Sequence, residues 1–346
     1  MAHNIEDIVS VAVPKYLSEQ GKAFDLVFQK QAYIQFLGMK DKLEGDPDLK
    51  RIDTQNGGKH IEHQLMVAEG GTFKWYSNKG DVIEFEYKDI FENTQWTWKN
   101  AVGTLVLPVP ELLEIENNEK SITSYLQGRL LNTKMQLVSA INAAFWTASP
   151  GTKEIVSIPK LIQFDPTTTE TIGNIDQGAH TWWRNSTVTS AATTYKLFVK
   201  EIRDLYDTLA YNSQGFAPDL LIMGREPYTY VREYLGDKAI PNATDEQMSK
   251  MLGFKVPKID GMTVLREDQV PNVFGSGDYA SVYMINSAYM KFTVHSQRKF
   301  TLGPKERLIV NGDDAIMWPI YLKCGNTCSN RTRLGVIGKI PKTITS

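Results

Sequence analysis

The sequence predicts an α+β protein, with an extended arm and one long helix set beside a module of alternating helices and strands. Three observations carry this. From Asp81 to Tyr87 the order DVIEFEY alternates apolar and acidic residues with the two-residue period of a strand. After Asn118, apolar residues recur at helical spacing over many turns. Between two further helical patterns lies Asp219-Leu220-Leu221-Ile222-Met223-Gly224, an apolar run that reads as a strand buried on both faces.

At 346 residues the chain is long enough for two packed modules, and 42% hydrophobic with 23% charged residues is ordinary for a folded protein. Lys plus Arg number 38 against 40 for Asp plus Glu, a formal net charge of -2, which leaves no footprint for tight nucleic-acid binding. Asn330-Arg331-Thr332-Arg333 is the nearest approach to a basic patch, and its two arginines are read as ion-pair partners or a solvated face. Cys324 and Cys328 exclude a secreted disulfide framework and lack the further ligands of a zinc site. They are expected to be buried thiols in a reduced, intracellular protein. The N-terminus lacks a basic region followed by an apolar run, and no segment stays apolar for the length of a membrane span.

Residues 1–55 read as an arm with short helical pieces, in which Phe24, Val27, Phe28 and Phe36 suit docking on a larger surface and Gly45-Asp46-Pro47-Asp48 breaks any helix. In the extended part, Phe73, Trp75, Val82, Phe85, Tyr87, Trp96 and Trp98 are separated by the turn signals Gly70-Gly71, Asn78-Lys79-Gly80-Asp81 and Asn93. A free two-stranded ribbon is marginal in water, so its apolar face needs a partner from this chain or another copy. In the long helix, Ile122, Leu126, Leu130, Leu137, Ile141 and Phe145 form one stripe. Asn117, Asn118 or Ser121 can cap it, and Glu119 complements its dipole. A helix of about 28 residues reaches roughly 40 Å.

From residue 155 to 284 the pattern is that of an α/β module. Thr193 or Thr194 can cap a helix through Tyr195, Phe198, Ile202, Leu205 and Leu209 that ends near Gly215. Leu220 to Met223 is its central strand, Glu226 to Leu235 the next helix, and Thr263-Val264-Leu265 a second strand. Strands return from Ser281 onward. Asn311-Gly312-Asp313-Asp314 is a hairpin turn, and Pro319 is expected to mark an edge or a bulge.

Nothing in the chain assembles a catalytic motif. His3, His60, His63, His180 and His295 fall in no recognisable pattern, and His60 and His63, three apart on a strand, point to opposite faces and cannot share a metal. His180 beside Trp182-Trp183-Arg184-Asn185 has the composition of a small binding pocket, although a packed tryptophan corner is the preferred reading. Phosphate loop, dinucleotide fingerprint, nucleophile elbow and zinc-protease helix are all missing. Gly224 opens a helix whose positive end attracts an anion, but Glu226 already occupies that end. Asp313-Asp314 and the pair Asp204 and Asp207 read as turn and helix-surface residues. No catalytic residue, cofactor or metal site is assigned, and no enzymatic activity is expected.

Four phrases carry a likeness. Thr97-Trp98-Lys99-Asn100 precedes a strand leading to Pro110-Glu111-Leu112-Leu113. The segment Gly178 to Asn185 reads GAHTWWRN, a run from Pro218 reads PDLLIMGREPYTYVREYL, and Asn330 to Gly338 closes the chain. In this order they resemble the major capsid proteins of tailed bacteriophages, the Hong Kong 97-like fold family, over nearly the whole chain. The resemblance implies an N-terminal arm at 1–55, an extended E-loop β-hairpin at 56–107, and a peripheral domain with a long spine helix at 108–154. It further implies an axial α/β domain at 155–284 and peripheral return strands at 285–346. By the same resemblance the protein is structural, a major capsid protein of a tailed double-stranded DNA phage. Copies of it form hexamers and pentamers of an icosahedral head shell around DNA held without sequence specificity. The implied partners are other copies, a portal, and any separate scaffolding or decoration proteins, with no membrane. The implied location is the virion, after assembly in the host cytoplasm.

Too little sequence precedes the E-loop for the long cleaved scaffolding segment of some family members, so a separate scaffolding protein, or none, is expected. Lys74, Lys79 and Asn326 have the chemistry of the lysine–asparagine crosslink that other members form, and non-covalent contacts are expected instead. In the E-loop, Phe73, Trp75, Phe85 and Trp96 are expected to supply apolar contact with a neighbour, while Lys74, Lys79, Asp81 and Glu84 set register. Two alternatives stay open: an encapsulin-like compartment shell, and an enzyme with a site in the module around Trp182 to Leu235.

Overall fold

The computed structural model describes residues 31–37, 52–68, 73–75, 89–110, 119–211, 216–236, 256–271, 279–310 and 313–344. Its first element, α1 (Ala32–Leu37), turns Ala32, Tyr33, Phe36 and Leu37 inward. Strands β1 (Ile52–Gln55), β2 (His60–Met66), β3 (Phe91–Thr97) and β4 (Lys99–Pro108) follow, and then the 28-residue helix α2 (Glu119–Trp146). Tyr33 meets Phe145 edge-on at 5.1 Å and Trp146 at 5.9 Å, so the arm docks on the end of α2 through aromatic rings. Phe24, Val27 and Phe28 lie outside the described residues. On the stripe of α2, Leu130 and Phe145 are buried and Leu137 and Ile141 half-buried. The side chains of Ile122 and Leu126 lie outside the described residues.

The module begins with α3 (Ile158–Leu161) and the small hairpin of β5 (Thr171–Ile172) and β6 (Ile175–Asp176). It continues through β7 (Ser186–Thr189), α4 (Tyr195–Tyr211), β8 (Leu220–Met223), α5 (Arg225–Gly236), β9 (Lys258–Ile259), β10 (Met262–Arg266) and β11 (Tyr279–Ile285). Thr194 begins α4, its hydroxyl accepting from the Leu197 amide at 3.3 Å. The expected stripe Phe198, Ile202, Leu205 and Leu209 is buried, together with Val199. β8 pairs in parallel with β10 and antiparallel with β11, and every residue of β8 is buried. Alternation explains why: Leu221 and Met223 pack under α4 and α5, whereas Leu220 and Ile222 enter the larger core with Trp183, Ile158 and Leu161. A strand covered on both faces has no polar side, and hence reads as an unbroken apolar run.

The chain then returns through β12 (Met290–His295), β13 (Thr301–Leu302), β14 (Glu306–Val310), β15 (Asp313–Cys328) and β16 (Gly335–Pro341). The second sheet is organised on β15. β4 lies along one flank, from Ala315 opposite Pro108 to Cys324 opposite Lys99. β14, β13 and β12 share the other flank in succession, and β1 adds in parallel to β12. Ile316, Trp318, Ile320 and Leu322 point to the buried face, as do Leu105 and Leu107 of β4. Gly103 on that face leaves room for α2, since a Cβ there would stand 2.2 Å from Leu137 Cδ2.

Pro319 is not at a sheet edge, but it does face an irregularity in the ladder: Leu302 stands opposite Ile320 and Glu306 opposite Met317, so three residues of the flanking chain, 303–305, oppose the two at 318–319. β15 is interior, and Pro319 falls where the flanking partner is interrupted between Leu302 and Glu306. Its carbonyl accepts from the Gly303 amide at 2.7 Å, so the N–H that proline lacks belongs on this same interrupted side, where no ladder bond needs it. The expectation that residues 285–346 all return to the helix-backed sheet is also corrected. β16 lies in the module, between β7 and β11 in a sheet ordered β7-β16-β11-β8-β10-β9. There Gly335 lets Leu205 and Leu209 of α4 close to 3.0 Å from where a Cβ would be.

Beyond β10, Glu267 is buried where α1, α2 and the module meet. It accepts from Asn142 Nδ2 at 3.2 Å and from the Tyr33 amide at 3.5 Å. Burial raises its pKa above the ordinary carboxylate value, with the hydrogen bonds from Asn142, Tyr33 and Gln269 opposing the rise.

Candidate assembly surface

The arm between β1 and β4 is an antiparallel ribbon, β2 on β3, in register from His60 opposite Thr97 to Met66 opposite Phe91. Its root is fixed to the body of its own chain. Ile61, Thr94 and Trp96 are buried there, and Trp96 Nε1 donates to Thr94 Oγ1 at 3.3 Å. The β5–β6 hairpin turns through Gly173 and Asn174, both at positive φ, which brings the Gly173 backbone against the Trp96 indole. A Cβ on Gly173 would stand 2.8 Å from Trp96 Cζ2, and the Gly173 carbonyl accepts from the Gln95 amide at 2.9 Å. Trp96, at 3% exposure, therefore belongs to its own subunit's core and not to a contact with a neighbour. Alternation along β3 identified a covered face without identifying what covers it.

At residues 73–75, between the two strands in sequence, the opposite holds. Phe73 and Trp75 are 83% and 87% exposed, packed on each other as an edge-to-face pair with centroids 5.4 Å apart, and Lys74 between them is exposed. Two aromatic rings this exposed, without cover among the described residues, are what an interface anchor looks like before its pocket arrives. Lys79, Asp81, Glu84 and Phe85 lie outside the described residues.

A cleft of about 300 Å³ opens at the ribbon's root between Gln95, Trp96 and Thr97 and the loops near Gly151 and Gly173. Its charged groups are already engaged. Lys99 donates to the Thr152 carbonyl at 2.6 Å, Glu154 accepts from the Gly151 amide at 2.9 Å, and Lys160 pairs with Glu170.

The two arginines read from sequence as ion-paired or solvated are both buried. Arg331 is buried, and its guanidinium donates to the Leu161 carbonyl (2.8 Å), Gln177 Oε1 and the Trp183 carbonyl (both 3.0 Å), and Asn185 Oδ1 (3.1 Å). Burial pulls its pKa down to about 10. Arg333 donates to the Leu209 carbonyl at 2.7 Å, at the end of α4 where backbone acceptors lack helical partners. Asn330, Arg331 and Arg333 thus anchor loops and a helix end. The sequence signal was present but unread: two cations set among apolar strands, with no acidic neighbour nearby in the chain.

The segment from Gly178 to Asn185 is a packed tryptophan corner. Trp183 is buried with Nε1 donating to the Ile172 carbonyl at 2.9 Å, and His180 tilts against Trp182 at 5.2 Å. Among the other histidines, His63 has its pKa lowered, first by burial and then by Lys291, and His295 accepts from the Gln297 amide at 3.2 Å. His3 lies outside the described residues. No three of His, Cys, Asp and Glu gather to hold a metal among the described residues. Cys324 and Cys328 are buried, which pushes both thiols up to about 12. Asn326 is buried as well, donating to the Val156 carbonyl at 3.0 Å, so it offers no surface amide for a crosslink.

At the level of sequence, no family model and no curated protein matches the chain. At the level of structure the likeness is nearly complete in length. The capsid of cyanophage A-1(L) is 12% identical, covering 96% of this chain and 99% of that one with a TM-score of 0.58. This is the Hong Kong 97-like capsid fold. The capsid of a native GTA particle follows at 12% identity, 93% and 94% coverage and a TM-score of 0.54. The SrpI encapsulin of Synechococcus elongatus has the same fold at 10% identity, 93% and 99% coverage and a TM-score of 0.52.

Proposed function

We propose that the chain is the major capsid protein of a tailed double-stranded DNA phage, assembling as hexamers and pentamers into an icosahedral head shell. The observation that carries this is the fold, matched end to end with capsid subunits and not through a single shared module. The exposed Phe73 and Trp75 support it, because large aromatic side chains left in water mark a surface for another molecule. On this reading the work of the protein is mechanical and not enzymatic. DNA, portal and any scaffolding or decoration proteins meet a shell whose subunit has a formal net charge of -2, so the packaged genome is enclosed more than bound. The division into arm, E-loop, peripheral and axial parts stands as part of this proposal, with β16 reassigned to the axial sheet.

A second reading is favoured by one observation, the encapsulin match: a compartment shell that carries protein cargo. Negative-stain microscopy separates the two. Purified chain that forms closed shells supports both, and particles from producing cells with tails and DNA support the phage head alone. A chain that stays monomeric at high concentration overturns both.

A further inference from the structure

Among the described residues β4 has one partnered edge and one open edge. Among the described residues it pairs with β15 alone, over ten consecutive positions with no register shift. The direction of its open groups follows from Pro319, whose carbonyl turns toward Gly303 and therefore away from β4. Its partner Thr104 must then turn its own N–H and C=O away from β15, because opposed residues of an antiparallel pair either exchange both bonds or none. With a period of two, Asn100, Val102 and Val106 present their backbone groups to the same open side.

Such an edge is normally protected by charge, proline or a bulge. Here the eight residues Asn100-Ala101-Val102-Gly103-Thr104-Leu105-Val106-Leu107 carry no charge, Lys99 and Pro108 stand only at the two ends, and the ladder is unbroken. Asn100, Ala101 and Thr104 are exposed, and Val102 and Val106 are 58% and 42% exposed. An uncharged edge repels no copy of itself, and this one is also self-complementary. Paired antiparallel about Thr104, it sets Val102 of one copy opposite Val106 of the other and threonine opposite threonine, which are favourable cross-strand pairs.

We propose that β4 is completed by β4 of a second copy, the two edges pairing antiparallel about a two-fold axis at Thr104. The two sheets become one continuous sheet, joined by about six backbone hydrogen bonds. A two-fold contact of this kind is isologous and closes on itself, so it links subunits in pairs without running on into fibres. The pairing deepens the shell reading and rests on it for its place, as a two-fold contact within the shell.

Cysteine placement tests the register. In a hydrogen-bonded antiparallel pair opposed Cα atoms lie about 5.5 Å apart, within disulfide reach, so Thr104→Cys should give disulfide-linked dimers on mild oxidation. Val102→Cys should not, since the two copies of residue 102 would stand about 13 Å apart, whereas Val102→Cys combined with Val106→Cys should crosslink. The native Cys324 and Cys328 are buried and silent. A second variant, Thr104→Pro, removes a donor from the open edge and none from the ladder with β15, so it should keep the subunit's melting temperature and lose the dimer. Each sample is also viewed by electron microscopy. Particles that form without the Thr104→Cys crosslink, equal crosslinking of Val102→Cys, or unchanged assembly of Thr104→Pro would each overturn the pairing while leaving the shell reading intact. Crosslinked dimers that never form particles would uphold the pairing and overturn the shell.

Discussion

Replacing Arg331 by Met should cost the subunit more than any comparably conservative change on its surface. The guanidinium is buried and satisfies four acceptors in three separate stretches of chain, near residues 161, 177 and 183–185. Methionine fills similar volume and donates nothing. Asn185 Oδ1 keeps its bond from the Gln163 amide at 3.1 Å, but the Leu161 carbonyl, Gln177 Oε1 and the Trp183 carbonyl lose the donor that Arg331 supplied. At roughly 1–3 kcal/mol for each buried acceptor left unpaired, the loss is about 3 kcal/mol even at the lower limit. Removing a buried charge offsets part of this, since desolvation is already strong enough to lower the pKa of Arg331 to about 10. A net loss of about 3 kcal/mol remains the expectation, a large fraction of the usual 5–15 kcal/mol. Urea unfolding followed by tryptophan fluorescence, with Trp183 beside the change, should show the midpoint falling by about 1 M or more. Arg331→Lys should recover only part of it, because one ammonium cannot reach acceptors arranged around a planar fork. An Arg331→Met subunit within about 1 kcal/mol of the parent would refute the keystone role.

Phe73→Ala with Trp75→Ala should weaken assembly by about 2–4 kcal/mol per contact while leaving the melting temperature of the subunit unchanged, as read by sedimentation and calorimetry; equal loss of both would place the rings in the fold. Gly173→Ala should destabilise the chain by about 2 kcal/mol or more in urea unfolding, since its φ of 63 and the 2.8 Å approach to Trp96 both exclude a methyl group. Glu267 carries a pKa raised by burial, so the folded state holds its proton more tightly than the unfolded state does. Its contribution is therefore most favourable below the unfolded carboxylate range and is lost as pH rises through the folded value. Glu267→Gln should raise the melting temperature at neutral pH, the gain shrinking as the pH is lowered, and a gain constant with pH would show that the charge is not responsible.

The elements that were legible in the sequence are those whose burial is one-sided and local. The stripe of Phe198, Ile202, Leu205 and Leu209 identified α4 because a helix covered on one face repeats its apolar residues at its own pitch. The partner of each strand was less accessible. Gly335-Val336-Ile337-Gly338 is apolar in whichever sheet it lies, so its insertion between β7 and β11 left no mark in the pattern. Trp96 and Trp75 lie in the same aromatic-rich stretch of sequence, yet one is in the core and the other exposed, and part of what covers Trp96 is Gly173, far along the chain. Arg331 was hidden for a related reason, since its acceptors at Leu161, Gln177, Trp183 and Asn185 are backbone carbonyls and neutral amides that no charge pattern discloses.

The place of β16 bears on when the subunit can act. A growing chain that has reached residue 330 has made β7, β8, β10 and β11, but it lacks the strand between β7 and β11 and both arginines that hold the tryptophan corner and the end of α4. Its module is split, with β7 detached from the other strands. The ribbon and the open edge of β4 are synthesised early, yet the body that must carry them is finished only by β16. On the proposed reading, an incomplete chain would present these surfaces without the finished sheet behind them, and a subunit would become competent to join its neighbours only once β16 is in place.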